Sequence, residues 1–266
     1  MGGNHDVEST PSPRNPRLHS RFSARRLKRC CLASKPWIPR TRKHLFAKVE
    51  LRTENSLELW KKLFPDPSTS PAHFAKRLHI GCAQAVTAAD AEADGWLTGF
   101  DHVMYLGVET CESYHGKSAI SLVPLHRFSP TIKSLRVSSI NIPPSRIFNF
   151  ILSSPLLEDL TVTGNRTLVG DGDSSDGPPT SVQPANPPMF TGSLGFFLEG
   201  GMKTIAGRLL SMPGGIHFRK FTLTWFYAED LSSVTALVGE CSHTLESLGI
   251  TCAFDGASIQ YLHPHR

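Results

Sequence analysis

The stretch SPLLEDLTVTGN, residues 154–165, sets its apolar side chains at Leu157, Leu160 and Val162. That spacing suits neither the 3.6-residue period of an amphipathic helix nor the strict alternation of a half-buried strand. It makes sense as one copy of a larger unit. The same pattern, apolar-x-x-apolar-x-apolar, recurs as FAKVEL from Phe46, VMYLGV from Val103, IKSLRV from Ile132, FRKFTL from Phe218 and LESLGI from Leu245. Weaker copies are AKRLHI from Ala75 and TGSLGF from Thr191. Successive starts lie 29, 28, 29, 25, 34, 27 and 27 residues apart.

Near-constant spacing in this range is the mark of leucine-rich repeats, in which each unit supplies one strand and one return segment. The intervening segments agree. NSLELWKKLF, behind a capping Asn55 or Ser56, puts Leu57, Trp60 and Phe64 on one helical face. PSRIFNFILSS opens with Pro144, favourable in a first turn, and groups Ile147, Phe148, Ile151 and Leu152. KTIAGRLLSM does the same with Ile205, Leu209 and Met212, and EDLSSVTALVGE with Leu231, Val234 and Leu237 or Val238. No such helix buries its stripe alone; stacked repeats bury all of them in one core. The fold expected is α/β, a solenoid of about eight irregular repeats of roughly 25–34 residues. A curved parallel sheet lines one side and helices lie on the convex side.

The longest interval coincides with GNRTLVGDGDSSDGPPTSVQPANPPM, residues 164–189, whose Gly, Pro, Asp and Ser content predicts a flexible loop. Asp171, Asp173 and Asp176 within it lack the bidentate Glu and flanking helices of a calcium loop, so a solvated acidic loop is expected.

Charge is uneven. Residues 1–44 hold 11 Lys and Arg against 2 Asp and Glu, whereas the rest of the chain holds 17 against 21. A basic arm of this kind attracts nucleic acid, acidic lipid or an import receptor, and is also the composition of a solvated leader. Only Phe22 and Trp37 accompany the basic residues of the arm, which leaves few platforms for base stacking. Residues 1–26 are expected to be a disordered basic leader. No apolar run is long enough to span a membrane, and the start does not read as a secretory signal. Six scattered cysteines with no C-x-x-C pair read as reduced thiols, pointing to cytoplasm or nucleus.

Three longer stretches carry a resemblance: ENSLELWKKLFPDPSTSPAHFAKRLHIGC, ISLVPLHRFSPTIKSLRVSSINIPPSRIFNFILSSPLLEDLTV and GGIHFRKFTLTWFYAEDLSSVTALVGECSHTLESLGITC. They resemble a group of basidiomycete F-box-like proteins with a degenerate leucine-rich-repeat body. In addition, LKRCCLASKPWIPRTRKHLFAKVEL resembles the second half of their F-box region, with Leu27, Cys31, Leu32, Trp37, Leu45 and Phe46 on its apolar pattern. The resemblance implies a partial helical F-box-like segment over 27–46 and a repeat body over 46–266. It further implies docking of a Skp adaptor through Leu27, Leu32, Trp37 and Leu45. The opening Leu-Pro-x-Glu helix of an F-box is replaced here by NHDVESTPSPRNPRLHSRFSARR, and the chain stops at YLHPHR where a further repeat or cap is expected.

Within each repeat the residues between the apolar ones should line the concave strand face, because strand side chains alternate. These are Lys48, Glu50 and Arg52; Arg77 and His79; Tyr105 and Glu109; Ser134, Arg136 and Ser138; Asp159, Thr161 and Thr163; Phe197; Lys220, Thr222 and Thr224; Ser247 and Thr251. Of these, Tyr105 and Arg136 are the anchor residues expected by type. There is no G-x-S-x-G elbow, H-E-x-x-H motif or P-loop, and His263 and His265 read as ordinary tail histidines, so neither catalysis, cofactor nor metal is expected. The function expected is a protein-interaction scaffold that resembles the substrate-recognition subunit of a cullin-type ubiquitin ligase and binds an unknown target protein. The alternatives are a nucleic-acid-associated protein acting through the basic arm and a marginally folded fragment.

Overall fold

The computed structural model describes residues 38–92, 95–109, 122–138, 144–164, 187–198, 202–226 and 230–252. The leader, Leu27, Leu32, Trp37, the acidic part of the 164–189 segment and the terminal histidines lie outside the described residues. Internal contacts divide the chain into two units, Met1–Leu45 and Phe46–Arg266. The described part of the first is a single helix, α1 (Ile38–Leu45), with Arg42, Lys43 and His44 in its last turn.

The second unit is α/β. Its eight strands are β1 (Lys48–Leu51), β2 (Arg77–Ile80), β3 (Tyr105–Glu109), β4 (Ser134–Ser138), β5 (Asp159–Gly164), β6 (Ser193–Leu198), β7 (Lys220–Phe226) and β8 (Ser247–Cys252). They form one sheet in strict chain order, and every neighbouring pair is parallel. Each strand opens on the third residue of its apolar motif, so the eight motifs stand in one register. Leu78 lies opposite Val49, Leu106 opposite Leu78, Leu135 opposite Leu106 and Leu160 opposite Leu135, and the row runs on through Leu194 and Phe221 to Leu248.

That row and the one two residues on, from Leu51 through Ile80 to Leu223, point into the core and are almost wholly buried as far as β7. On β8, Leu248 and Ile250 pack against the core but are only partly buried. Parallel strands need a return segment between them. Four of these are the helices expected: α2 (Glu54–Leu63), α3 (Pro144–Leu152), α4 (Met202–Leu210) and α5 (Leu231–Glu240). The returns on either side of β3 carry, among the described residues, short 3-10 turns at Ala83–Ala85, Ala88–Ala91, Trp96–Gly99 and Val123–Phe128 in place of a helix. Leu97, Phe100, Leu125 and Phe128 from these turns enter the same core.

Three local readings need correction. The cap of α2 is Thr53, not Asn55 or Ser56; the Thr53 hydroxyl accepts from the Ser56 N–H at 3.2 Å, and the Ser56 hydroxyl accepts from the Thr53 N–H at 3.0 Å. Leu231 sits in the first turn of α5 and is 55% exposed, while Val234 and Leu237 carry the burial. The weak copy from Thr191 fails at its first position because Thr191 is exposed. The preceding residue, Phe190, fills the space, fully buried, with a backbone φ of 43°. A left-handed Phe is costly, and here the cost is offset by burial of an aromatic ring whose centroid lies 4.9 Å from that of Phe218, the two planes tilted at 41°.

Candidate functional site

The outward side of the sheet is where the expected binding residues fall, because each lies between two core-facing neighbours on its strand. Side by side in register run Lys48, Arg77, Tyr105, Ser134 and Asp159. A second row, two residues further along each strand, runs Glu50, His79, Gly107, Arg136 and Thr161, then Gly195, Thr222 and Gly249. Backbone pairing alone therefore gathers these side chains on one surface, although about 29 residues of sequence separate one from the next.

The first four strands carry the charge. Glu50 stands between Lys48 and Arg52, paired with the Lys48 ammonium and with the Arg52 guanidinium at 2.8 Å. Burial alone would raise its pKa, but the two cations outweigh that and hold it below the ordinary carboxylate value. On β2, the Arg77 guanidinium lies over the Tyr105 ring, 5.8 Å from its centroid. His79 lies across β3: its Nε2 is 3.0 Å from the Glu109 carboxylate. Gly107 permits this, since a Cβ there would stand 2.5 Å from His79 Nδ1. Arg136 is exposed and makes no ion pair or hydrogen bond with the described residues.

Asp159 behaves differently from its neighbours. In most rungs the carbonyl before a strand accepts two N–H groups from the next strand; Lys133 O accepts from Glu158 and Asp159 at 2.8 and 2.9 Å. At the sixth rung Glu158 O accepts only from Gly192. The Ser193 N–H turns to the Asp159 carboxylate instead, at 2.7 Å, and the Ser193 hydroxyl donates to the same oxygen at 2.7 Å. Asp159 thus joins β5 to β6.

Beyond it the described outward strand positions are uncharged apart from the exposed Lys220: Thr161, Thr163, Thr222, Thr224, Ser247 and Thr251, with an exposed Phe197 between Thr163 and Thr224. The Phe197 ring leans over Gly195, where a Cβ would sit 3.3 Å from Phe197 Cε2. Of the expected adaptor-docking residues only Leu45 is described, at the end of α1 and partly buried.

Two polar groupings on the return side escaped the sequence reading. Asp90 is buried, accepts from the Thr87 N–H at 2.8 Å and pairs with Lys61 at 3.1 Å. Burial would raise its pKa, yet these partners depress it overall. His126 Nδ1 is 3.2 Å from the Ser153 hydroxyl, which donates to the Phe150 carbonyl at 2.7 Å and lies 2.9 Å from the Ser129 hydroxyl. Burial holds the His126 pKa below its ordinary value by disfavouring the charged imidazolium. Chemically the group stitches the end of α3 to the turn before β4. The one sequence signal for the outward contacts was glycine at the fifth motif position of VMYLGV, TGSLGF and LESLGI, where a neighbouring side chain can lie flat.

Among the described residues no group of His, Cys, Asp and Glu could hold a metal ion, and no helix is long and apolar enough to cross a membrane. No protein-family model, no curated protein and no solved structure matches the chain.

Proposed function

We propose that the chain is a protein-interaction scaffold: a leucine-rich-repeat solenoid that holds a target protein on the outward, concave strand face and presents it as the substrate-recognition subunit of a cullin-type ubiquitin ligase does. The observation that carries the reading is the single register of the eight parallel strands. It spends the apolar positions on the core and leaves a continuous surface of charged, hydroxyl and aromatic side chains. Repeat arrays bind through such surfaces because the spacing of contacts is fixed by the backbone. No reaction is assigned to the chain in this reading, which instead gives Lys48, Arg52, Arg77, His79, Tyr105, Glu109, Arg136, Thr161, Lys220 and Thr222 to the target face, with Asp159 as its internal brace. The ligase part rests on the resemblance of residues 27–46 to the second half of an F-box.

Co-purification with a fungal Skp adaptor tests the ligase role, using the full chain and a chain lacking residues 1–44. Association that disappears on deletion is the result expected. Absence of association, from full chain shown to be folded by circular dichroism, would leave a scaffold that works outside the ligase.

A further inference from the structure

The cations of the outward face are not equally occupied. Lys48 and Arg52 share Glu50, and Glu109 is engaged by His79. The Arg77 and Arg136 guanidiniums remain without a carboxylate among the described residues. Both are exposed. A guanidinium is a planar fork that matches a carboxylate with two parallel hydrogen bonds.

Their placement is fixed by the sheet. Arg77 is opposite Tyr105 on β3, and Arg136 is opposite Gly107 on the other side of the same strand. Two strand spacings across and two residues along put their Cα atoms about 12 Å apart. In an extended peptide, residues four apart point the same way and are about 13 Å apart. Between the two arginines the surface offers the half-exposed Tyr105 ring and the His79 imidazole, whose Nδ1 edge stands against Gly107. An acidic ligand is drawn to these two guanidiniums, whose charge no described carboxylate offsets.

We infer that the β2–β4 part of the face receives an acidic segment of the target protein, extended, with two carboxylates four residues apart that meet Arg77 and Arg136 across Tyr105. This rests on the scaffold reading and adds the chemistry of the target. The rest of the segment runs on toward Phe197 and the threonines, where uncharged or apolar side chains fit.

The test is selection of a phage-displayed library of random peptides, about a dozen residues long, on the full chain. Selected peptides are then titrated against Arg77→Ala, Arg136→Ala and Thr161→Arg variants, whose unchanged urea midpoints certify folding. Enrichment of paired Asp or Glu four apart, with affinity falling about tenfold in each arginine variant, is the expected result. Peptides without acidic enrichment that are nevertheless lost with Thr161→Arg would overturn the acidic segment and leave the binding face standing. Peptides indifferent to all three variants, or no enrichment at all, would overturn the acidic segment, and indifference would count against the face as well. Tighter binding of a single-stranded thymidine oligonucleotide than of the selected peptides would also overturn it, in favour of a phosphate backbone as the ligand.

Discussion

The two halves of the sheet have the same core and different surfaces. Strands β1–β4 and β5–β8 keep one register and turn equivalent rows of Leu, Ile, Val and Phe to the core, wholly buried except on β8. Outward, the first half shows ion pairs, Arg77 over the Tyr105 ring and an Arg136 without an ion pair among the described residues, while the second shows hydroxyls and Phe197. On the return side the first half carries the buried Asp90 and the half-buried His126, and the second has the stripes of α4 and α5 with the buried Asp230 at the start of α5. The difference teaches that backbone register and surface chemistry vary independently. A repeat can exchange most outward residues without disturbing the row that holds it in place, Asp159 being the exception that ties two strands.

The strongest way to break that view is to cut the core in each half. Leu106→Ala and Leu223→Ala remove equivalent, fully buried side chains. Each should cost about 3 kcal/mol in urea-unfolding stability, by loss of transfer energy and the cavity left behind. A cost near zero in one half alone would mean that the halves do not share one core. Next comes the brace between them. Asp159→Ala leaves the Ser193 N–H and hydroxyl without their acceptor, which should cost about 1–3 kcal/mol. Asp159→Asn keeps an oxygen in place and should lose much less. Equal losses would make charge, and not the hydrogen-bond acceptor, the operative feature.

Asp159 also shows where the sequence stops being informative. The apolar triplets were legible because the pattern is local, and every motif became a strand at its third residue. The four amphipathic segments became helices for the same reason. The brace depends on a serine 34 residues downstream, and whether a strand's carboxylate faces a neighbour's N–H is decided by pairing. Phe190 was hidden for a related reason: a fixed-spacing search lands on Thr191, and only a left-handed backbone moves the buried position back by one. Of the candidate site, the identities of the outward residues could be read from alternation alone. Which of them are already spent on each other, as Glu50 and Glu109 are, required the register.

The return side predicts a pH dependence that belongs to the first half. The His126 pKa is lowered from the ordinary 6.5 by burial, so the unfolded chain binds more protons than the folded one just below that value. Stability should therefore fall as pH drops from about 6.5, and the His126→Phe variant should flatten that fall. Asp90 acts in a separate window: its depressed pKa contributes stability above the ordinary 3.8, lost as pH falls through the folded value. In the second half the buried Cys241 thiol has its pKa raised from 9.0 by burial and plays no part in the acid range. A wild-type urea midpoint that stays level from pH 7.5 to 5 would contradict the assignment to His126.

The smallest effect sharpens the comparison most, because it sets one outward glycine of each half side by side. Glycine inside a strand costs about 0.5–1 kcal/mol relative to alanine, so replacing it should help wherever the space exists. At Gly195 the space is nearly sufficient, with Phe197 Cε2 and Thr161 Oγ1 at 3.3 and 3.4 Å from the new carbon. At Gly107 the new carbon meets His79 Nδ1 at 2.5 Å, and the imidazole must swing away from Glu109. The pair is partly exposed and contributes about 0.2–1 kcal/mol, so Gly107→Ala should gain about 0.5 kcal/mol less than Gly195→Ala. In a Glu109→Gln background, with the carboxylate already gone, that shortfall should shrink. If it persists unchanged, His79 lies over β3 for packing reasons and not because Glu109 draws it there.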